Sequence, residues 1–570
     1  MRLVRATVWI LLGVLALVLP SACSLPPPAD VIFTGGHFHT LDPASPTAQA
    51  VAARGGVLVY VGSATHVERY RGPATQVVDL QGATVVPGLS DSHVHLAGVG
   101  AQARMLDLRG VDGIAGLVAR LQPRVAEARA GEWIIGRGWI ETFWQPARFP
   151  TRVDLDAVSP NNPVFLVRVD GHGAVANSRA LALAGITPTT EDPFGGEILR
   201  DADGTPSGML LDHAMDLVWT QVAPTSDDEL CEQWIAGAAA YAARGWTAVQ
   251  IPGASWREMQ LVERLVEEGR IPLRIYLAVD GPGEAADQLL SGGARGGGVG
   301  ARFTCRAIKV HYDGALGSGG AALFEPYADR PGSGFVKYED AALRDLFQRA
   351  LRAGLQLQTH CIGDRANRNI LDLYQEAFST VPQLERGVAD PRWRIEHAQI
   401  LHPNDLPRFA RLGVIASMQP SHAITDLHFA PSRLGVERLS GAYAWRPLLA
   451  SGATIAGGSD APVEEGDPVF ELYAAMVRQD PRHSSSGPGW HPEHRVAPED
   501  ALRMFTSASA FAAFEEDWRG TISEGKVCDL TVFSRDPLTT GEREWLGSRC
   551  LMTVIGAKIV YDGRVPGHES

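Results

Sequence analysis

The chain has 570 residues, which is enough for about two to four domains and a large core. Its composition, 45% hydrophobic and 20% charged, is that of a folded protein and excludes a disordered or low-complexity chain. The formal net charge of −14 and the lack of a block of basic residues argue against a nucleic-acid partner. Six scattered cysteines without a Cys-x-x-Cys pair argue against a disulfide scaffold and a thiolate zinc site.

The first 23 residues have the three parts of a secretory signal. Arg2 and Arg5 form a basic start, residues 6–19 form an apolar run, and small residues then precede Cys23. The run is shorter than the roughly 20 apolar residues that a membrane-spanning helix needs. The segment resembles a bacterial lipoprotein signal with Cys23 lipidated, although Pro20 stands where that signal usually has leucine. We expect an exported bacterial protein, periplasmic or membrane-anchored through lipid alone; a buried N-terminal helix is the alternative.

Both ends of the mature chain show strand patterns. Residues 30–84 alternate apolar and polar side chains in short segments separated by glycine and proline, and the segments 520–537 and 551–564 do the same. Neither end has enough strands to bury both faces of a sheet by itself. We therefore predict one composite β-sandwich formed by residues 29–86 and 517–570, with the middle of the chain inserted into it.

The middle of the chain, residues 87–516, alternates strand-like and amphipathic helical segments. Its eight candidate strands lie within residues 84–96, 246–253, 273–279, 303–314, 355–363, 393–400, 414–420 and 454–462. Eight strand–helix units predict an α/β fold, a TIM (β/α)8 barrel whose active site lies at the C-terminal ends of the strands. Residues 130–215 interrupt this alternation and are interpreted as an inserted cap. The cap tryptophans Trp133, Trp139 and Trp144 indicate either an apolar substrate or ordinary packing.

Residues that can ligate a metal recur at the ends of these strands. His93 and His95 follow the first strand at positions i and i+2, so both rings can face one ion. Two surface histidines are the alternative for this pair alone. However, equivalent positions on later strands carry further residues of this type, which are Lys309, His360, His397 and Asp460. This recurrence predicts a metal site at the barrel mouth.

These residues lie in motifs that resemble the metal-dependent amidohydrolase superfamily. The motifs are GRGW (136–139), RVDGH (168–172), GGEILRDADGTPSG (195–208), IKVHYDGALGS (308–318), THCIGDRAN (359–367), RIEHAQ (394–399), SMQPSHAITD (417–426) and GGSDAPV (457–463). They are most similar to the amidohydrolase-3 branch, which includes the N-substituted formamide deformylases. The resemblance runs from about residue 30 to 565 and implies the barrel-plus-sandwich fold predicted above.

The resemblance implies a particular set of metal ligands. His93 and His95 would hold one ion, His360 and His397 a second, and Lys309, carboxylated by CO₂, would bridge the two. Imidazole and carboxylate ligands suit Zn²⁺, and Mn or Fe share such ligands. A free ammonium has no lone pair for a metal, so an unmodified Lys309 would be an ion-paired lysine beside a site with a single ion.

Asp460 is the expected acid–base residue, which would take a proton from the metal-activated water and pass it to the leaving nitrogen. A carboxylate that caps the following turn is the alternative for Asp460. Further residues are expected to contact the substrate, and these are Arg168, Asp170, His172, His311, Gln419 and His422. For each of them a structural role is the alternative, such as a polar network that fixes a loop. Family members often have aspartate where this chain has Ile140, and an apolar residue where it has His311.

We expect the chain to be a metal-dependent hydrolase of C–N bonds other than peptide bonds, acting on a small molecule such as an N-substituted formamide or a related amide. The same site could instead hydrolyse esters, lactones or phosphotriesters. A non-catalytic exported ligand-binding protein is a third alternative, although it would not need the whole ligand set. A monomer and a homodimer are both compatible with the sequence.

Overall fold

The computed structural model describes residues 26–481 and 491–564. The predicted signal at residues 1–23, including Cys23, lies outside the described residues. Among the helices that are described, none combines the length and the apolar character needed to cross a membrane.

The described elements alternate between strands and helices along most of the chain. In chain order the strands are β1 (Val31–His39), β2 (Thr47–Arg54), β3 (Val57–Gly62), β4 (Gln76–Asp79), β5 (Thr84–Pro87), β6 (Leu89–Asp91), β7 (Leu106–Asp107), β8 (Ile134–Trp139), β9 (Val164–Arg168), β10 (Gly173–Ala176), β11 (Gly196–Arg200), β12 (Pro206–Asp212), β13 (Trp246–Pro252), β14 (Arg274–Asp280), β15 (Arg295–Gly296), β16 (Phe303–His311), β17 (Gln356–Cys361), β18 (Arg394–His397), β19 (Ile415–Met418), β20 (Ile455–Gly457), β21 (Leu530–Phe533), β22 (Cys550–Ile555) and β23 (Lys558–Asp562).

The α-helices, also in chain order, are α1 (Ala64–Val67), α2 (Leu96–Ala101), α3 (Ile114–Glu127), α4 (Arg152–Asp156), α5 (Ser178–Leu183), α6 (His213–Trp219), α7 (Asp227–Arg244), α8 (Trp256–Glu267), α9 (Glu284–Gly292), α10 (Asp340–Ala353), α11 (Asp364–Thr380), α12 (Leu406–Leu412), α13 (Pro420–Thr425), α14 (Ala430–Leu434), α15 (Trp445–Ala450), α16 (Pro468–Val477), α17 (Pro498–Met504), α18 (Ser507–Ala512) and α19 (Glu542–Trp545).

Eight parallel strands form a nearly closed barrel in the order β20-β19-β18-β17-β16-β14-β13-β6. The predicted TIM barrel is therefore confirmed, and each of the eight candidate segments overlaps one of these strands. The two end strands meet where the backbone N–H of Ser92 donates to the carbonyl oxygen of Gly457 at 2.9 Å. The barrel strands are buried along nearly their whole length, which explains their continuous apolar sequences.

The helices that surround the barrel bury one face each. In α8, for example, Met259, Val262 and Leu265 recur at three-residue spacing and are buried, while the opposite face is charged. Ser255 begins this helix because its side chain accepts a hydrogen bond from the backbone N–H of Glu258. Burial of such a face is worth about 25 cal/mol for each Å² of apolar surface removed from water, which holds the helix against the barrel.

The two ends of the chain form one sheet, in the order β23-β22-β21-β5-β1-β2-β3, with β4 beside β1. The predicted association of both ends is confirmed, since β21 pairs antiparallel with β5 and places Leu530 opposite Pro87. The first candidate barrel segment is divided between this sheet (β5) and the barrel (β6) at Gly88. A Cβ atom at Gly88 would lie 2.4 Å from the hydroxyl oxygen of Thr247, so only glycine fits where the chain crosses between them.

A six-stranded sheet, β11-β12-β10-β9-β8-β7, is inserted between the first and second barrel strands. It begins at Leu106, earlier than the predicted cap boundary near residue 130, because the amphipathic helix α3 that it contains looks like a barrel helix in the sequence. Trp139 and Trp144 are fully buried and donate to the backbone carbonyls of Leu166 and Val111. These two tryptophans therefore pack the cap and do not face a ligand.

Candidate metal centre

The C-terminal ends of the barrel strands place the predicted ligands at similar positions along neighbouring strands. His311 at the end of β16 is in register with His360 on β17, and Cys361 on β17 is in register with His397 on β18. His93 follows β6, and its ring lies 4.8 Å from that of His397, centroid to centroid. The ring of His397 lies 4.6 Å from that of His360. The C-terminal mouth of the barrel thus gathers histidines from several strands, as the fold requires of an active site.

The closest donors have the spacing of ligands around one ion. Oδ1 of Asp460 lies 3.5 Å from Nε2 of His93 and 3.2 Å from Nε2 of His95. Donors of a tetrahedral site with bonds of about 2.0–2.1 Å are about 3.3 Å apart. His93, His397 and Asp460 also form a group whose donor atoms all lie within 4.8 Å of one another. These residues therefore fit a divalent metal ion of the zinc type.

Neighbouring side chains orient the histidine rings for this purpose. Nδ1 of His93 lies 2.5 Å from Oε2 of the buried Glu396, and Nδ1 of His397 lies 2.8 Å from Oε1 of Gln419. A ligating histidine usually donates its second ring N–H to such an acceptor, which fixes the tautomer and frees Nε2. Burial lowers the pKa of His93 well below its usual value and that of His397 to about 3. Both rings are neutral at pH 7, which is the form that binds metals.

The ring of His397 lies between those of His93 and His360, so it is close to members of both implied ligand groups. The tight group joins His93 with His397 and Asp460, whereas His360 lies on the other side of His397. The ring of His360 is 4.9 Å from that of His172, and its Nε2 is 3.4 Å from the Gly314 carbonyl oxygen. The barrel order explains this result, because β17 and β18 are neighbours while β6 lies across the mouth.

Lys309 is 1% exposed and lies on β16 beside the histidines. It makes no ion pair with a carboxylate among the residues that the structure describes, so the alternative of an ion-paired lysine has no support there. Burial lowers the pKa of Lys309 to about 8. An amine reacts with CO₂ in its neutral form, and the lowered pKa makes this form of Lys309 easier to reach.

The backbone at the site holds strained conformations. Asp460 has φ of 60° and His397 has φ of 71°, both in the left-handed region. Such values in residues other than glycine occur where the surrounding structure imposes them, and they cluster at functional sites. Gly458 is required nearby for a different reason, because a Cβ atom there would lie 2.6 Å from the backbone nitrogen of His93.

Asp460 is ionised at neutral pH. Burial alone would raise the pKa of its carboxyl group, but the facing histidines His93 and His95 hold this pKa well below its usual range. An ionised carboxylate that has one oxygen toward the histidines can still accept a proton at its second oxygen. Oδ2 of Asp460 lies 3.6 Å from Nε2 of His422.

Two cavities meet at the histidine cluster. The first, which we call the apolar cavity, has about 780 Å³ of empty space, and its apolar lining includes Ile140, Phe143, Leu316, Ile362, Phe429 and Val463. The second, the polar cavity, has about 1120 Å³ and contains Arg137, Asp212, Lys309, His311 and Lys337. Both reach His172, His360, His397 and Asp460. A substrate that spans both cavities would therefore pass directly over the candidate metal ligands.

The structure places the predicted substrate-contacting residues in different positions. Asp170 and His172 face both cavities, His311 faces the polar cavity, and His422 faces the apolar cavity. Arg168 reaches the apolar cavity, but its guanidinium is held by Glu141 and Asp170 at 2.8 and 2.5 Å. Gln419 lies elsewhere, because its side chain contacts Nδ1 of His397 and lines neither of these two cavities.

Several residues of the site were missed by the sequence analysis. Glu396, which orients His93, stands immediately before His397 in the RIEH motif, and this neighbouring carboxylate was an available signal. Asp212 accepts hydrogen bonds from His172 and Lys337 at 2.6 and 2.7 Å. No local pattern marks Asp212, because it lies 40 positions from His172 in the sequence.

Comparison with known proteins agrees with this geometry. The family model described as "Amidohydrolase family" matches residues 76–561. The chain is 35% identical over 554 residues to the protein LONG AFTER FAR-RED 3 of Arabidopsis thaliana, covering 94% of this chain and 93% of that protein. It is 28% identical over 561 residues to the N-substituted formamide deformylase of Arthrobacter pascens, covering 94% of this chain and 98% of the deformylase.

A solved structure shows the same architecture. The crystal structure of an uncharacterized metal-dependent hydrolase from Pyrococcus horikoshii matches with a TM-score of 0.71 at 26% sequence identity, covering 90% of this chain and 99% of that one. The match covers nearly the whole of both chains, so it includes the barrel, the terminal sheet and the inserted cap. With the family model and this fold, the chain belongs to the amidohydrolase family.

Proposed function

We propose that the protein hydrolyses the C–N bond of a small amide, such as an N-substituted formamide, with a divalent metal bound at the barrel mouth. The observation that supports this most strongly is the spacing of Asp460 Oδ1 from the Nε2 atoms of His93 and His95, at 3.5 and 3.2 Å. These separations are close to the spacing of about 3.3 Å between donors around one tetrahedral ion. The similarity to a deformylase supports the amide class.

His93, His95, His360, His397 and Asp460 would hold the metal, and Lys309, once carboxylated, would be a further ligand. We propose zinc as the metal, because imidazole and carboxylate ligands suit it, while Mn and Fe bind similar sets. When bound, a zinc ion lowers the pKa of a coordinated water towards 7 and polarises the carbonyl group of the substrate.

The proton transfers are assigned to Asp460. Its carboxylate is ionised, is buried at the mouth and borders both cavities, so it can accept a proton from the attacking water. The same carboxyl group then donates the proton to the leaving nitrogen, which departs as a neutral amine. One residue suffices for both transfers, because the water and the leaving group approach the same carboxylate.

His422 is proposed to bind a polar atom of the substrate. Its Nε2 atom is buried and has no hydrogen-bond partner among the described residues, while the ring lines the apolar cavity. A buried polar atom left without a partner is costly, and it is found where a ligand completes the hydrogen bond. The position of Nε2, 3.6 Å from Asp460, places this contact next to the reacting bond.

Hydrolysis of an ester, a lactone or a phosphotriester is the second candidate, because the same site can activate water toward each of them. A panel that contains matched amides and esters with the same acyl group distinguishes the two functions. We expect turnover of at least one amide that requires the metal. Turnover confined to esters or phosphotriesters would reject the amide assignment, and no turnover of any member would reject hydrolysis.

Export and lipid attachment at Cys23 are proposed from the sequence of residues 1–23. Metabolic labelling with a fatty acid tests this in a bacterial host. Label in the full chain but not in the Cys23→Ser variant supports the lipid anchor, and equal labelling of both rejects it.

A further inference from the structure

Arg137 provides a positive charge in the polar cavity. It lies on β8 of the inserted sheet, and its side chain lines this cavity together with His93, His95 and Asp460. Its Nη2 donates to the carbonyl oxygen of Val169 at 3.1 Å, whereas Nε is buried without a partner. Among the described residues it forms no ion pair with a carboxylate.

Most of the other charges around the cavity have a partner. Lys337 pairs with Asp212 at 2.7 Å, and Asp170 pairs with Arg168 at 2.5 Å. Asp460 faces the histidines, and Asp216, whose pKa is raised by burial, lies next to His213 on α6. Lys309 lies within the histidine cluster. Among the described residues, Arg137 is thus a cation of this cavity, away from the metal ligands, that forms no ion pair, and Asp460 and Asp170 attract it only from beyond ion-pair distance.

The surroundings of Arg137 keep its guanidinium accessible from the cavity. A Cβ atom on Gly171 would lie 3.2 Å from Nη2, and Gly171 has φ of 76°, so a larger residue there would be strained and would crowd this group. Removing a charged group from water without a partner is unfavourable, and this burial lowers the pKa of Arg137. An arrangement of this kind is stabilised when an anion binds.

We propose that Arg137 binds a carboxylate of the substrate, so that the preferred substrate is an amide with a carboxylate on one side of the scissile bond and an apolar group on the other. This inference rests on the proposed amide hydrolysis and specifies its substrate class. The two cavities share His360, His397 and Asp460, so the carboxylate would occupy the polar cavity and the apolar group the other. One unpaired guanidinium matches one carboxylate in charge, and its planar fork matches it in shape.

The test compares two amides of similar size, N-benzoylglycine, which carries a carboxylate, and N-propylbenzamide, which does not. We expect the wild-type chain to prefer N-benzoylglycine by about 10- to 100-fold in kcat/KM, the range for a hydrogen bond to a charged group. Arg137→Gln is expected to reduce this preference at least tenfold, mainly through KM, and Arg137→Lys to keep part of it.

Arg302→Gln is the matched control. Arg302 is also half-buried, donates to the carbonyl oxygen of Pro272 at 2.6 Å, and precedes β16 at the opposite end of the barrel. Its replacement should leave the preference between the two amides unchanged. Equal losses for both amides in Arg137→Gln, or no preference in the wild-type chain, would overturn the proposal.

A binding experiment separates failure of this inference from failure of the proposed function. If neither amide is hydrolysed, which counts against amide hydrolysis, calorimetric titration of the full chain with N-benzoylglycine still tests Arg137. Binding that weakens at least tenfold in Arg137→Gln but not in Arg302→Gln supports the carboxylate site. Equal binding by the wild-type chain and Arg137→Gln, or no binding by either, rejects it.

Discussion

The carboxylate of Glu396 lies 2.5 Å from Nδ1 of His93, although the two residues are 303 positions apart in the sequence. Both side chains are buried, and Glu396 is also held by Arg394 at 2.7 Å. The contact fixes the His93 ring with Nε2 toward Asp460. Glu396 would therefore act on a metal bound at the mouth through the His93 ring.

We predict that Glu396→Gln weakens metal binding by about 10- to 100-fold, because the uncharged amide holds the His93 ring less firmly and makes it a weaker ligand. Competition with a chromophoric chelator measures the affinity. Glu515→Gln is the matched control, since Glu515 is also a buried carboxylate paired with an arginine, Arg519, but lies outside the mouth. Equal affinity in the wild-type chain and Glu396→Gln would contradict the assigned role.

Asp460→Asn is predicted to lower kcat by about 100-fold or more while the fold and much of the metal remain, because an amide cannot accept the proton. Asparagine tolerates the left-handed backbone of this position, where φ is 60°, so the loop should keep its shape. Steady-state kinetics and elemental analysis of the same preparation check both parts. Turnover near that of the wild-type chain would remove Asp460 from the proton transfers.

His93→Ala is predicted to lower the metal content itself, in contrast to Asp460→Asn. The ring provides Nε2, which lies 3.5 Å from Oδ1 of Asp460, and alanine offers no donor in its place. Elemental analysis after dialysis against metal-free buffer gives the result. Full occupancy in this variant would show that His93 is not a ligand.

Lys309→Met is predicted to remove one of two bound ions, since methionine keeps the length of the side chain but cannot form a carbamate. Carbon-13 NMR of the wild-type chain grown with labelled bicarbonate should show a carbamate signal that the variant lacks. Lys337→Met is the control, because Lys337 lines the same cavity but is held by Asp212. The same metal content in Lys309→Met and the wild-type chain would exclude the bridge.

The positions of the barrel strands could be predicted because each is a short apolar run that ends in a polar residue at the mouth. The gathering of the candidate ligands at the mouth could be predicted for the same reason, since parallel strands bring their C-terminal ends together. The partners of these ligands could not. Glu396 contacts His93 only because β18 and β6 face each other across the closed barrel. Neither segment of the sequence indicates this contact.

Gln419 shows why a residue type at a strand end does not determine its role. It follows β19 at the level of the other site residues, and the sequence analysis therefore expects it to contact the substrate. In the structure it accepts from Nδ1 of His397, a neighbour only because β18 and β19 are adjacent. Pairing between adjacent strands thus decides which polar residues face the cavity and which orient its ligands.

Glu464, which lines the apolar cavity, is expected to make the stability of the protein depend on pH. Burial raises the pKa of its carboxyl group from 4.5 to about 7. Between these values the folded chain keeps a proton that the unfolded chain has released, so the free energy of unfolding falls as the pH rises through this window. Glu464→Gln should therefore stabilise the protein at pH 8 by on the order of 3 kcal/mol and leave it nearly unchanged at pH 4.

Denaturant unfolding measures this effect. The protein is first treated with a chelator, because a bound cation would itself lower the pKa of Glu464. The neighbouring Glu465, which is exposed, provides the control variant Glu465→Gln, and we expect little change from it at either pH. A constant difference between Glu464→Gln and the wild-type chain at both pH values would contradict the raised pKa.

The metal content of the purified full chain, measured by elemental analysis before and after chelation and paired with hydrolysis of the amide panel, tests the central claim most directly. We predict about two ions per chain, loss of amide hydrolysis when they are removed, and recovery when zinc is returned. About one ion would indicate a site without the Lys309 bridge. Absence of bound metal even after incubation with zinc, or hydrolysis that persists without metal, would contradict the account.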